Sequence, residues 1–172
     1  AAQNTPRGVI KIILTRGPGG RGYRSRVDAG CQRIIAWFDW PDYPSHYVDG
    51  IDVRWCDTRL GLNPSLAGIK HLNRLEQVLA RNEWRDDAIA EGLMLDQQDH
   101  VIEGTMTNLF IVKDKQLLTA KLDRCGVAGI IRQLICQDDI NHGFAVTEQR
   151  LEKEDIMMAD EMFVCNSLIG LW

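Results

Sequence analysis

Residues 90–103 read Ala90-Glu91-Gly92-Leu93-Met94-Leu95-Asp96-Gln97-Gln98-Asp99-His100-Val101-Ile102-Glu103, an apolar run, a polar turn and a second apolar run. A polar turn between two apolar runs reads as a hairpin. A second hairpin follows at once, with strands over 108–113 and 116–119 around the turn Asp114-Lys115. Working outward, Val9-Ile10-Lys11-Ile12-Ile13-Leu14 is rich in β-branched residues and predicts a strand, as do 33–38, 51–56, 144–149 and 161–165. The spacing of Leu72, Leu75, Val78 and Leu79 predicts a helix over 70–81 with one apolar face. A second helix is expected over 129–136, after a glycine-bearing loop, and a short helical stretch after 151–155. Hairpins interleaved with helices define a mixed α and β class, α+β or α/β, with a partly antiparallel sheet.

The chain has 172 residues, 45% hydrophobic and 26% charged, the composition of an ordinary folded domain rather than a disordered, collagenous or coiled-coil protein. Its formal net charge of −4 gives no general attraction to nucleic acid or to an anionic membrane. No apolar run approaches the roughly 20 residues of a membrane helix, and the polar opening residues do not resemble a signal peptide. Cys31, Cys56, Cys125, Cys136 and Cys165 are odd in number and widely spread, without a Cys-x-x-Cys or Cys/His spacing. They read as reduced cytoplasmic thiols, and no metal site is expected. His46, His71, His100 and His142 stand apart and read as surface or structural, with His71 of interest because it adjoins Lys70.

The chain opens without Met, runs almost at once into the strand signal at 9–14 and closes on an apolar run over 163–172 with no polar tail, which reads as a piece of a longer chain. Trp40-Pro41-Asp42-Tyr43-Pro44-Ser45 is proline-rich, and proline restricts both itself and the residue before it. A linker is therefore expected over 41–50, between a first domain at 1–40 and a second at 51–172.

Four elements could carry chemistry. Arg16-Gly17-Pro18-Gly19-Gly20-Arg21-Gly22-Tyr23 joins glycines, which let backbone approach a ligand, to arginines, which clamp carboxylates, and to a tyrosine. It lacks the Gly-Lys-Ser/Thr of a P-loop, and a plain solvated loop is the alternative. Lys70 follows Leu66-Ala67-Gly68-Ile69; a lysine stripped of water by apolar neighbours becomes nucleophilic, although most lysines are surface charges. Glu103 closes an apolar strand, where a carboxylate could hold a protonated pyridine nitrogen, or simply sit exposed in a turn. Gly126-Val127-Ala128-Gly129-Ile130-Ile131-Arg132 enters a helix, whose free N–H groups suit a phosphate.

Taken in order, these segments resemble a family. Leu66-Ala67-Gly68-Ile69-Lys70-His71-Leu72-Asn73-Arg74-Leu75-Glu76-Gln77-Val78-Leu79-Ala80-Arg81 resembles the cofactor-lysine segment of the bacterial aminodeoxychorismate lyases, pyridoxal-phosphate enzymes of fold-type IV. The glycine loop is similar to their substrate-side loop. Val101-Ile102-Glu103-Gly104 with Asn108-Leu109-Phe110 is similar to the cofactor-glutamate segment, 126–132 to the phosphate turn, and Cys165-Asn166-Ser167-Leu168 to a second phosphate contact. All but the lysine segment are shared more loosely with branched-chain and D-amino-acid aminotransferases.

The resemblance implies a two-domain fold-type IV enzyme binding pyridoxal 5′-phosphate, seen here as the end of its small domain and most of its large one. Lys70 would be the Schiff-base lysine and proton carrier, Glu103 the partner of the pyridine nitrogen. The Ile130 and Ile131 N–H groups and Ser167 would hold the phosphate, Ile131 standing where related aminotransferases often have threonine. Arg16, Arg21 and Tyr23 would meet the substrate carboxylates. The implied reaction converts 4-amino-4-deoxychorismate to 4-aminobenzoate and pyruvate in folate synthesis, in the cytoplasm. A homodimer is implied, and Trp37, Phe38, Trp40, Tyr43 and Tyr47 are the aromatic residues available for an interface or for packing between domains. An aminotransferase of the same fold and a non-catalytic interaction module are the rival readings.

Overall fold

The computed structural model describes residues 7–137 and 145–172. The chain divides into two compact units, Ala1–Ser45 and His46–Trp172.

The first unit is a two-stranded antiparallel ribbon. Strand β1 (Gly8–Thr15) pairs with β2 (Gln32–Asp39) in unbroken register from Gly8 opposite Asp39 to Thr15 opposite Gln32. β-branched and aromatic residues hold both strands extended. Among the described residues no third strand of the unit covers them, and Ile10, Ile12, Leu14, Ile34, Ile35, Trp37 and Phe38 are each at least half exposed. Arg7 lies over the Trp40 ring, 5.8 Å from its centroid.

The second unit is built on an eight-stranded sheet. After a 3-10 turn at Ser45–Asp49 come β3 (Asp52–Leu60), α1 (Leu75–Arg81), β4 (Ile89–Asp96), β5 (Val101–Gly104), β6 (Asn108–Lys113) and β7 (Gln116–Ala120). They are followed by α2 (Ile130–Cys136), β8 (Val146–Gln149), α3 (Lys153–Met157), β9 (Glu161–Asn166) and β10 (Gly170–Leu171). The order is β10-β9-β6-β5-β4-β3, with β7 on β6 and β8 on β7. β3–β4 and β7–β8 are parallel and the other pairs antiparallel, which is the mixed class that the hairpins imply.

Central β6 shows why the sheet is stable. Leu109 and Ile111 point to one face and join Leu93, Leu95, Val101, Leu118, Leu151 and Val164 in the main core. Phe110 points to the other, stacks on Phe163 at 5.1 Å, and packs beside Ile131 and Ile135 of α2. A strand buried on both faces reads as a continuous apolar run, as 109–112 does. Arg132, itself buried, fastens α2 to the sheet by donating to the Ala120 carbonyl at 2.8 Å and to Glu148 at 2.7 Å.

The two hairpins form at 89–104 and 108–120 as expected. The helix expected over 70–81 is shorter: it begins at Leu75, and 69–74 run without helical structure. The reason is local. Arg74 turns back on its own segment, donating to the His71 carbonyl at 2.9 Å and the Ile69 carbonyl at 2.9 Å, and its backbone (φ −121°) is not helical. The apolar face is also not buried in this unit, since Leu72, Leu75, Val78 and Leu79 are all more than half exposed; Ala80 is the buried residue of α1. The strand expected over 144–149 is present as Val146–Gln149, residue 144 and His142 lying outside the described residues.

Candidate active site

Glu103 is a buried charged group of the second unit. It is the next-to-last residue of β5, is 3% exposed, and pairs with Asn108 at the start of β6. Oε2 accepts the Val127 N–H at 2.8 Å and faces Asn108 Nδ2 at 3.5 Å. Among the described residues no hydrogen bond reaches Oε1. Burial pushes the carboxyl up to about 7, opposed by the Val127 N–H and by the positive charges of Arg74 and Lys70. A carboxylate lifted so far lacks a full complement of donors and countercharge. A cationic N–H beside it would supply both.

Asn108 joins this carboxylate to the next element. Its Nδ2 donates to the Val127 carbonyl at 2.7 Å and its Oδ1 accepts the Gly129 N–H at 3.2 Å, so 127–129 are held against the β5–β6 turn. Glycine is required at 129, because a Cβ there would overlap Asn108 Oδ1. Gly129 is the N-cap of α2, with no side chain capping it. The first N–H groups of a helix have no acceptor inside it, which leaves those of Ile130 and Ile131 available.

Lys70 lies between a β-bridge, Gly68 to Val127, and α1. The same loop thus carries Glu103's donor and the anchor of the lysine segment. Desolvation by the preceding apolar residues is not what the structure shows: Lys70 is exposed, and Leu66 and Ile69 are themselves 40% and 52% exposed. The neighbouring His71 has a buried Nδ1 without a partner and lines a cleft with Arg74, Gln77 and Arg124.

Ser167 is exposed in the turn between β9 and β10. Asn166 shapes that turn: its Oδ1 accepts the Leu168 and Ile169 N–H groups at 2.8 and 3.0 Å. Arg16, Arg21 and Tyr23 belong to the first unit, on the loop between β1 and β2. All three are exposed, and Arg16 reaches Ser25 Oγ at 3.4 Å.

The second unit therefore joins Glu103 to the 127–129 loop by hydrogen bonds, with Lys70 two residues beyond the Gly68–Val127 bridge to that loop. It adds three residues to which the sequence reading gave no role. Arg74 acts electrostatically on Glu103, and its position four residues after Lys70 was the available signal. Asn108 ties two elements, and its amide three residues before a hydrophobic strand's centre gives no sequence signal of that job. Glu91, 0% exposed, breaks an otherwise apolar strand and was legible only as an interruption. Among the described residues no His, Cys, Asp and Glu group could hold a metal, and all five cysteines are free. Burial lifts the Cys56 and Cys125 thiols to about 12, so neither is a nucleophile near neutral pH.

The chain is similar to an aminodeoxychorismate lyase of Vibrio harveyi, at 42% identity over 94% of this chain and 60% of the relative. It is similar in structure to the 4-amino-4-deoxychorismate lyase of Pseudomonas aeruginosa, with a TM-score of 0.91 and 44% identity, covering 95% of this chain and 61% of that one. Similarity to the branched-chain-amino-acid aminotransferase of Escherichia coli is lower, with a TM-score of 0.78 and 29% identity over 95% of this chain and 54% of that one. The chain thus spans about 60% of the length of the lyases it matches. The sequence profile of class IV amino-transferases matches residues 1–172, and the chain belongs to that family.

Proposed function

We propose that the protein is a pyridoxal-phosphate-dependent lyase that converts 4-amino-4-deoxychorismate to 4-aminobenzoate and pyruvate, a step of folate synthesis. The observation that carries the cofactor assignment is Glu103: a buried carboxylate, raised to about 7, with one oxygen already held by Val127 and the other without a protein donor among the described residues. That arrangement fits a protonated pyridine nitrogen. The identities of 42–44% to lyases against 29% to an aminotransferase support the lyase over the transaminase.

Bound pyridoxal phosphate would supply an electron sink for the pair left when the amino-bearing carbon of the substrate loses its proton. Lys70 Nζ is the attachment point and the base that takes the proton from that carbon. Glu103 Oε1 holds the ring N–H and keeps it protonated, supported by Val127 and Asn108. The Ile130 and Ile131 N–H groups and Ser167 take the phosphate, the backbone standing in for the hydroxyl that Ile131 lacks. Arg16, Arg21 and Tyr23 meet the substrate carboxylates. Departure of the enolpyruvyl oxygen then aromatises the ring, which makes the step strongly downhill.

The domain reading that accompanies this places the end of a small domain at 1–40, a linker at 41–50 and the large domain at 51–172. The protein is proposed to act in the cytoplasm as a homodimer; no helix of the described residues is long and apolar enough to cross a membrane. The exposed Leu72, Leu75, Val78 and Leu79 support an assembly that covers them. Light scattering of the intact protein tests it, and a fully active monomer excludes it.

The function is tested by giving the intact protein 4-amino-4-deoxychorismate and following 4-aminobenzoate by fluorescence and pyruvate by a coupled assay. Equal amounts of both products are expected. Glutamate formed from a branched-chain amino acid and 2-oxoglutarate, without 4-aminobenzoate, would replace this reading by the transaminase; a colourless protein that takes up no pyridoxal phosphate would end both.

A further inference from the structure

Glu91 lies on β4 and is 0% exposed, yet none of the proposed chemistry uses it. Oε1 accepts the Gly92 N–H at 2.9 Å, the Thr105 N–H at 3.0 Å and the Thr105 hydroxyl at 2.6 Å. Oε2 accepts the Met106 N–H at 3.2 Å and the Thr107 hydroxyl at 2.9 Å. Four of these donors come from the turn that joins β5 to β6. The turn closes on itself through the Gly104 N–H to the Thr107 carbonyl at 2.8 Å, and is tied back to β4 by the Thr105 N–H to the Gly92 carbonyl at 3.0 Å. Gly104 is the residue that allows so close an approach: a Cβ there would overlap Thr107 Oγ1 and come within 2.8 Å of the Glu91 carboxylate.

The turn so fixed touches the site at two ends. Its flanks are Glu103 and Asn108, paired across the strands. Its middle faces the other way: the Met106 carbonyl accepts Asn166 Nδ2 at 3.2 Å, and Asn166 Oδ1 in turn holds the Leu168 and Ile169 N–H groups around Ser167. One unbroken path of hydrogen bonds therefore runs from Glu91 through Met106 and Asn166 to the turn that carries Ser167. A carboxylate is needed at its origin. An amide has one acceptor oxygen, and its NH₂ would face donors.

We propose that Glu91 is a positioning residue: its buried carboxylate sets the 104–107 turn and, through Met106 and Asn166, the Ser167 turn, so that two stretches 60 residues apart in sequence are held as one phosphate-facing frame. The part concerning phosphate rests on the function proposed above; the part concerning the two turns does not.

Hydrogen exchange of the intact, cofactor-free protein tests the turns. Glu91→Gln should raise exchange at the Leu168 and Ile169 amides roughly tenfold, whereas Val101→Ala, a core control matched for loss of melting temperature, should leave them protected. Equal protection in Glu91→Gln and in the wild type, or equal loss in the control, overturns the proposal. If Glu91→Gln does not fold, Thr105→Val removes only a hydroxyl donor and must loosen the same two amides. The phosphate arm compares affinity for pyridoxal phosphate with affinity for pyridoxal. Glu91→Gln and Asn166→Ala should each weaken the first about fivefold and spare the second, and the double variant should be no worse than either alone, since both cut one path. Additive losses, or equal losses for both ligands, overturn this arm. A wild-type protein that binds neither ligand counts against the proposed function, while the exchange result still decides the role of Glu91.

Discussion

The β1–β2 ribbon and the β4–β6 strands are both rich in β-branched and aliphatic residues, yet they differ in what covers them. In the ribbon Ile12 and Ile35 are 68% and 70% exposed; in the sheet Leu95, Val101, Leu109 and Ile111 are 0% exposed. Strand propensity is thus satisfied in both, whereas burial depends on neighbours that only the second unit supplies. The residues placed in the ribbon's loop, Arg16, Arg21 and Tyr23, are correspondingly exposed, while Glu103 and Glu91 are buried in the sheet. A group whose charge is tuned by its surroundings must sit where water is excluded, and the ribbon by itself excludes little.

This contrast leads to graded expectations. Lys70→Ala should have the largest effect, removing the attachment point and the base together and lowering turnover by about 10⁴-fold or more. The visible absorbance band of the purified protein should vanish with it; a band that survives moves the attachment elsewhere. In the sheet, Phe110→Ala deletes a ring buried on β6 and stacked on Phe163, and should cost about 3–5 kcal/mol in denaturant unfolding. A loss below about 1 kcal/mol would show that the sheet is no better packed than the ribbon.

Glu103→Gln should act through pH. The folded-state carboxyl is raised from 4.5 to about 7, so the folded chain binds its proton more tightly than the unfolded chain does. Stability of the cofactor-free protein should therefore fall by about 3 kcal/mol as pH rises from below 4.5 to above 7, and Glu103→Gln should abolish that slope. Unfolding free energies of the two proteins across this range give the answer, and parallel curves would place Glu103 in a well-solvated setting. The smallest effect is expected in the ribbon: Ile35→Thr should change stability by no more than about 0.5 kcal/mol, since the side chain is 70% exposed. A larger loss would mean that something covers that face in the intact protein.

The hairpins were readable because a polar turn between apolar runs can pair only one way, and Asp114-Lys115 take the positive φ angles (50° and 62°) that such a tight turn requires. The start of α1 was not, because the pattern Leu72, Leu75, Val78, Leu79 has helical period whether or not the backbone before Leu75 is helical. A side chain, Arg74, captured the Ile69 and His71 carbonyls that a longer helix would have needed. Short β10 also escaped notice, since two residues carry no period. At the site, Lys70, Glu103 and 126–132 stood out by their local sequence setting, and Ser167 through the ordered resemblance to a family. Asn108 carried no signal of its tie to the 127–129 loop, while Arg74 and Glu91 offered only a spacing from Lys70 and an interruption of an apolar strand.

By itself the sequence determined the class of fold, the two hairpins and which segments could carry a lysine, a carboxylate and a helix-entering loop. These follow from local preferences and from alternation, which each segment bears within itself. Only the tertiary structure decided that β6 lies between β5 and β9, that Val127 donates to Glu103, and that the buried Glu91 accepts hydrogen bonds from the turn between β5 and β6. The physical reason is that burial and hydrogen bonding are properties of pairs. The pH at which Glu103 gives up its proton is set by Val127, Arg74 and the water the sheet removes, none of which the residue's own stretch of sequence contains.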